Sequence, residues 1–325
     1  MSEQWRATAP LENLRRRAEI FAQIRAFFAA RHVLEVETPL MTSAAVSDPY
    51  IDAIECRYHP LPGQQEQAQA RYLQSSPEYA MKRLLASGSG AIYQICKAFR
   101  NGECGRRHNP EFTMLEWYRP GFDHHQLMDE VEMLVGPLIG LNDFQRISYA
   151  ELFRQYLQID LQTATVAELA ATTRQHIDIQ MADDNRDNWL NLLMSHVIEP
   201  QLADSGAVFV YDYPASQAAL ARTALDAEGD LVACRFELFV AGVELANGYF
   251  ELTDGDEQAR RFQQDILQRQ AEGLPLRPTD QLLVDALQSG VPECAGVAIG
   301  LDRLVMLALG TDNICDVIAL PFERT

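Results

Sequence analysis

Long apolar runs, paired cysteines and lysine are all scarce in this chain. No apolar run approaches the roughly 18 residues that a bilayer-spanning helix requires. The start, Met1-Ser-Glu-Gln-Trp-Arg, passes into charged residues without the apolar stretch of a secretory signal. No membrane association is expected. The six cysteines (Cys56, Cys96, Cys104, Cys234, Cys294 and Cys315) include no C-x-x-C pair and no regular spacing. That speaks against a disulfide frame or a zinc site and for buried free thiols in a reducing cytoplasm. Lysine occurs only at Lys82 and Lys97, and the other 25 basic residues are arginines. Phosphate handling would therefore fall to arginine, whose planar fork binds oxyanions through two parallel hydrogen bonds. Internal repeats, heptads and low-complexity tracts are absent as well.

What is present is enough for a large core, since 47% of the 325 residues are apolar. Acidic residues outnumber basic ones 46 to 27, for a formal charge of −19. Grip on a long nucleic acid normally needs a basic face. This balance favours a basic protein partner over a polyanion.

The pattern along the chain is mixed. Residues 11–31 predict an amphipathic helix with Leu14, Ala18, Phe21, Ile24 and Phe28 on its buried stripe and Arg15-Arg16-Arg17 on a solvated face. Residues 33–39 alternate like a strand that Pro39 confines to an edge. Residues 61–71 are polar and turn-rich, a surface loop. Ser76-Pro77-Glu78 has the residues of a helix start. Residues 91–100 and 111–119 predict a hairpin around a cationic loop at 101–110. Residues 122–230 read as largely helical. Strands follow near 232–240 and 243–252, then a helix at 255–272, a strand ending at Gly296–Gly300 and a helix at 301–309 with Leu301, Leu304, Val305 and Ala308 buried.

Three groups of residues carry chemistry. On the returning hairpin strand Phe112, Met114, Glu116 and Tyr118 share a face, and a carboxylate among apolar neighbours needs a cation. Arg100 ends the first strand and Arg106 and Arg107 lie in the loop, an arrangement suited to an anionic nucleotide beside a cationic substrate. Charges that merely solvate the hairpin are the rival reading. The second group, Glu237, Glu244, Asn247 and Glu251, sets oxygen donors on two adjacent apolar strands, as Mg²⁺ with a nucleotide requires; a plain polar strand face is the alternative. The third is the turn Gly296-x-Ala298-x-Gly300, followed by Arg303 in the first turn of a helix. A cation is disfavoured there unless it meets a bound anion.

In order and spacing these segments resemble the signature motifs of the class II aminoacyl-tRNA synthetases, in particular the lysyl group, from about residue 10 to 322. Val36-Glu-Thr-Pro39 with its helix resembles motif 1, Phe99-Arg100-Asn-Gly through Tyr118 motif 2, and Gly296 through Arg303 motif 3. The resemblance implies an α+β class II catalytic fold, a mainly antiparallel sheet flanked by helices, as one catalytic domain over residues 1–325. It implies ATP as co-substrate and Mg²⁺ as cofactor. By the same resemblance Arg100 and Arg303 are catalytic, on the α- and γ-phosphates. ATP is further held by Asn101, Gly102, His108, Asn109, Phe112, Glu244, Leu245 and Gly300, and the metal by Glu237 and Glu244. A diamino acid is held by Ser76, Pro77, Glu78, Glu116, Tyr118, Asn247, Glu251 and Ala298, and motif 1 implies a homodimer.

The departures from the lysyl pattern are informative. No anticodon-reading domain precedes the catalytic motifs, which argues against tRNA as the acceptor. Ser76 replaces the usual alanine, Ala298 replaces a motif 3 glycine, and motif 2 reads Phe-Arg-Asn-Gly-Glu in place of Phe-Arg-Asn-Glu-Gly. A branch of the family that activates (R)-β-lysine and joins it to a lysine ε-amine of elongation factor P fits these changes, with Ala298 favouring the β-amino acid. A truncated enzyme charging tRNA or a small acceptor, and a non-catalytic regulatory paralogue, are the alternatives.

Overall fold

The hairpin expected around the arginine-rich loop is the centre of the first of two structural units. The computed structural model describes residues 5–61, 63 and 67–325. These divide into Met1–Gly121 with Leu252–Thr325, and Phe122–Glu251.

In the first unit strands Ile92–Phe99 and Glu111–Pro120 pair antiparallel, Cys294–Gly300 pairs antiparallel with the second of them, and the two-residue strand Leu34–Glu35 runs parallel to the first. The helix Leu11–Ala29 lays its C-terminal half on this sheet. Phe28 is fully buried, stacked on Tyr93 at 4.3 Å between ring centres and edge-on to Trp117 at 5.3 Å. A phenyl ring so buried contributes about 2–3 kcal/mol. Helices Glu78–Ala86, Gly255–Ala271 and Gln281–Gly290 close a second core in which Met81, Leu85 and Tyr118 meet Phe262, Leu283 and Leu287. The helix Leu301–Leu309 follows strand Cys294–Gly300 without a break and buries Leu301, Leu304 and Val305.

In the second unit strand Leu231–Val240 pairs antiparallel with Val243–Phe250 on one side and with Ala207–Pro214 and Thr223–Leu225 on the other; Phe144–Ser148 runs parallel to Ala207–Pro214. Helices His124–Ile139, Tyr149–Leu157, Val166–His176 and Arg186–Leu193 complete it, the last continuing through a π-helical turn at Met194–Ile198. Its core joins Tyr149, Phe153, Trp189 and Leu193 to Val208, Val210 and Phe239 of the sheet. The mainly antiparallel α+β character is as expected, and no described helix is long and apolar enough to cross a membrane.

Several details differ from the sequence reading. The buried stripe of the first helix is Ile20, Ile24 and Phe28, while Leu14 and Phe21 are half-buried and Ala18 is exposed. Three strands interrupt the stretch 122–230: Ala207–Pro214 is rich in β-branched and aromatic residues, and its ladders form with strands distant in sequence. Of the expected loop at 61–71, residues 62 and 64–66 lie outside the described residues. Gln69–Leu73 is the middle strand of a small exposed sheet with Met41–Thr42 and Glu55–Tyr58, so it lacks the alternation that would have marked it. All six cysteines are free, but only Cys234 and Cys294 are buried, and Cys104 is exposed in the arginine-rich loop.

Candidate active site

Glu116 is a buried, closely held carboxylate of the first unit. It is 2% exposed, and strand pairing sets Gln94 opposite it on one side and Ala298 on the other. Directly opposed residues of an antiparallel pair point to the same face with their Cβ atoms about 5 Å apart. The Ala298 methyl therefore lies beside the Glu116 side chain. Tyr118, two residues along the strand and so on the same face, donates its hydroxyl to Oε1 of Glu116 at 2.6 Å, and Ser76 donates to Oε2 at 2.8 Å. The Ser76 hydroxyl also accepts the Glu78 amide at 3.0 Å, tying down the turn at buried Pro77 from which helix Glu78–Ala86 starts. Glu78 in turn pairs with Lys82 at 2.7 Å, and the Lys82 side chain is 1% exposed. Burial, with the charge of Glu78 adding to it, pushes the Glu116 carboxyl up to about 8, against the pull of Tyr118, Ser76 and Lys82. A carboxylate so displaced gains most from a cationic ligand, which would restore its ionised form.

The arginine-rich loop and its flanks hold the second cluster. The Arg100 guanidinium lies over the Phe112 ring at 5.2 Å and faces Glu103 at 3.6 Å, while its Nε is buried without a hydrogen-bond partner among the described residues. Gly102 has φ +78°, a conformation that suits glycine. The Gly-Glu order of the loop thus puts glycine where the backbone needs it and leaves Glu103 facing Arg100. Arg303, in the first turn of Leu301–Leu309, reaches His108 of the loop, with 2.7 Å between Nη2 and the ring Nε2. Gly300 precedes that helix and is half-buried. Two neighbours point elsewhere. Asn101 bonds the Asp52 side chain at 2.7 Å and its main-chain carbonyl at 2.8 Å. Asn109 is buried, donating to the Glu111 carbonyl and accepting from the Phe322 amide. Both fasten the loop to the fold.

In the second unit a register shift decides which acids share a face. Glu237 lies opposite Asn247, and Phe239, two residues on, lies opposite Glu244, because the pairing slips by one residue between Leu238 and Phe239. On a regular strand Glu244 and Asn247, three apart, would face opposite sides; the bulge at this point brings both to the side of Glu237. Arg235 bonds Glu237, Asn247 at 3.2 Å and the Gln217 carbonyl at 3.0 Å. Tyr213 donates to Oε2 of Glu237 at 2.8 Å. Burial raises the Glu237 carboxyl above its usual range; Arg235 opposes this, and the charge of Glu244 adds to it. Gly248 lies directly opposite Phe236, whose ring stands 2.4 Å from where a Cβ would be, so only glycine fits. Leu245 is buried and Glu244 exposed. Glu251 falls past the strand, in an isolated bridge with Ala221, and is 1% exposed.

The donor chemistry fits Mg²⁺ in one way only. Among the described residues no group of three or more histidine, cysteine or acidic side chains could hold a cation by itself. Two carboxylates, Glu237 and Glu244, on one strand face suit an ion that also takes oxygens from a nucleotide's phosphates.

The fold thus joins Ser76, Glu78, Glu116 and Tyr118, with Ala298 beside them, Arg100 with Phe112, His108 with Arg303, and Glu237 with Glu244 and Asn247. Sequence reasoning passed over Lys82, Tyr213, Arg235 and Asp52. It also placed Arg17 on a solvated face, whereas the Arg17 side chain is 16% exposed and ion-paired with Asp302 at 2.6 Å. Lys82 carried a usable signal, four residues after Glu78 on one helix face; Arg17 and Asp302, 285 positions apart, carried none.

The chain matches known proteins over its whole length. The family model for tRNA synthetases class II (D, K and N) matches residues 3–324. The elongation factor P–(R)-β-lysine ligase of Yersinia enterocolitica serotype O:8 / biotype 1B is 49% identical over 328 residues, covering 100% of both chains. The proteins of the same name from Salmonella paratyphi B and Salmonella schwarzengrund are 48% identical over 322 residues, covering 98% of both. With its motif 2 hairpin, its motif 3 strand and helix, and a match that runs from end to end, the chain belongs to the class II tRNA synthetases of the D, K and N group.

Proposed function

We propose that this chain is an ATP-dependent ligase that activates (R)-β-lysine as its adenylate and transfers it to a lysine ε-amine of elongation factor P. The observation that carries this reading is buried Glu116, held by two hydroxyls with its carboxyl displaced upward and the Ala298 methyl beside it. Such a site calls for an ammonium and narrows the space around it. The full-length likeness to ligases of that name supports the same choice of substrate and acceptor.

The reaction has two steps. The carboxylate of β-lysine attacks the α-phosphorus of ATP, giving the acyl-adenylate and pyrophosphate. The acceptor amine then attacks the acyl carbonyl, forms the amide, loses a proton and releases AMP. Catalysis is positioning and charge stabilisation. Arg100 meets the α-phosphate with its guanidinium, and Arg303 takes the γ-phosphate. Phe112 stacks on adenine, His108 orients Arg303, Asn101, Gly102 and Asn109 shape the loop, and Leu245 and Gly300 line the nucleotide. Glu78, Glu116, Tyr118, Asn247 and Glu251 receive the amino groups, with Ser76, Pro77 and Ala298 setting the room available. Glu237 and Glu244 would hold Mg²⁺, whose charge would offset that of the phosphates. Residues 1–325 make one catalytic domain, in a cytoplasmic homodimer that pairs through the Leu11–Ala29 helix and its following edge strand.

ATP–pyrophosphate exchange with (R)-β-lysine and with α-lysine, followed by label transfer to purified elongation factor P or to tRNA, tests this reading. Preferential exchange with (R)-β-lysine and label on the protein are expected. Preference for α-lysine would overturn the substrate, label on tRNA the acceptor, and no exchange with either the enzyme itself.

A further inference from the structure

A buried carboxylate ties together three segments that are remote in sequence. Asp302 is 2% exposed and immediately precedes Arg303. Its Oδ2 accepts the Thr113 amide at 2.6 Å, and Thr113 immediately follows Phe112 on the hairpin strand. Its Oδ1 faces Arg17 Nη1 at 2.6 Å, an ion pair rather than an aligned hydrogen bond. The other prong of the Arg17 fork, Nη2, donates to the Thr113 hydroxyl at 2.9 Å, and Nη1 lies 3.4 Å from the Val317 carbonyl. Arg17 belongs to the helix Leu11–Ala29, and Thr113 is 5% exposed.

A well-packed apolar cluster could have joined helix to sheet at least as stably, because a buried ion pair must first overcome desolvation of both charges. What the pair supplies instead is direction. A planar fork that meets a carboxylate and a hydroxyl together permits one arrangement of three elements, and a lysine cannot reproduce it. Two of those elements continue, one residue away, into the side chains assigned to opposite ends of ATP: Phe112 to the adenine and Arg303 to the γ-phosphate.

We propose that Arg17 is a positioning residue for ATP, clamping Asp302 and Thr113 so that Phe112 and Arg303 are held at the separation the nucleotide requires. This rests on the ATP roles proposed above for those two residues. Glu116 accepts from Ser76 and Tyr118, neither of them part of the clamp, so the effect should fall on the nucleotide and leave the amino acid untouched.

The test is pyrophosphate exchange by full-length wild type and Arg17→Lys, with KM measured separately for ATP and for (R)-β-lysine and the fold checked by circular dichroism and melting. Arg17→Lys keeps the charge and loses the fork. We expect its KM for ATP to rise about tenfold or more, as small misplacements of binding groups do. Its KM for (R)-β-lysine should stay within about twofold of wild type. An unchanged KM for ATP, or equal rises in both constants, overturns the proposal and leaves the contact a stability device. If Arg17→Lys does not fold, the double variant Arg17→Met/Asp302→Asn decides, since it strands no buried charge and keeps an acceptor for the Thr113 amide. Failure of both variants to fold also assigns the contact to stability and overturns the proposal. Absence of exchange in wild type would instead sink the ligase reading, so the two failures are separable.

Discussion

The Ser76 hydroxyl stands between two carboxylate-bearing residues, donating to Oε2 of Glu116 at 2.8 Å while accepting the Glu78 amide at 3.0 Å. With Tyr118 and the charge of Lys82, it holds the Glu116 carboxyl down against burial. Ser76→Ala should leave the fold intact, because the helix start keeps Pro77 and its backbone bonds. Loss of a hydrogen bond to a charged group costs about 1.5–3 kcal/mol, so KM for (R)-β-lysine should rise roughly tenfold. The pH at which that KM reaches its minimum should move upward, because the Glu116 carboxyl loses a group that favours its ionised form. A steady-state pH series of exchange rates checks both, and an unshifted profile would separate Ser76 from Glu116.

Glu116 itself predicts a pH dependence of stability. Its carboxyl in the folded protein is raised from the ordinary 4.5 to about 8, chiefly by burial and secondarily by Glu78. The folded chain therefore holds a proton that the unfolded chain has already released across this interval. The stability so contributed is complete below the unfolded value and is lost as the pH climbs through the folded one. Glu116→Gln, which cannot ionise, should match wild type in melting temperature near pH ~5 and exceed it near pH ~9. At about 2–4 °C per kcal/mol for a domain of this kind, the gain should be several degrees. Saturating (R)-β-lysine should raise the wild-type melting temperature most at the alkaline end, where its ammonium meets the ionised carboxylate.

Those two residues also mark what the sequence could and could not disclose. The hairpin was legible because two β-prone stretches flank a glycine- and arginine-rich loop, and the two-residue period of a strand put Phe112, Met114, Glu116 and Tyr118 on one face. The strand and helix around Gly300 and Arg303 were legible through their glycine spacing and apolar stripe. The face shared by Glu237, Glu244 and Asn247 was not, since a bulge between Leu238 and Phe239 reverses the parity of the strand, and bulges leave no mark in period-two reasoning. Asn109 looked like a ligand and faces the Glu111 carbonyl and the Phe322 amide instead. Arg17 looked like solvent-facing charge and is tied to Asp302. The Asn109–Phe322 and Arg17–Asp302 contacts join residues far apart in the chain, and only the folded backbone brings them together. The strand Ala207–Pro214 escaped for the same reason, being paired with Phe144–Ser148 and Leu231–Val240 across long separations.

Arg100 offers a sharp division between fold and chemistry. Among the described residues its side chain meets Glu103 at 3.6 Å and the Phe112 ring at 5.2 Å, contacts of small energetic weight for a partly exposed group. Arg100→Ala should keep its melting temperature within a few degrees of wild type. Pyrophosphate exchange should fall by about a hundredfold or more, the usual loss when a donor to developing charge is removed. Exchange at the wild-type rate in a folded Arg100→Ala protein would remove the residue from its assigned place on the α-phosphate.

Ala298 should govern which lysine is accepted. It lies directly opposite Glu116 in the antiparallel pair Glu111–Pro120 and Cys294–Gly300, so its methyl takes up space beside the carboxylate that awaits an ammonium. An α-amino group and a β-amino group differ by one carbon along the chain, and a single methyl is of the right size to favour one over the other. Discrimination by such a group in a pocket amounts to about 10–200-fold. Ala298→Gly should therefore raise kcat/KM for α-lysine relative to (R)-β-lysine by roughly tenfold or more. The cost to the strand is modest, about 0.5–1 kcal/mol for glycine in place of alanine. Exchange kinetics with both amino acids, read beside the melting temperature, separate a change of preference from a general loss. A preference ratio equal to wild type would move the origin of selectivity away from this wall.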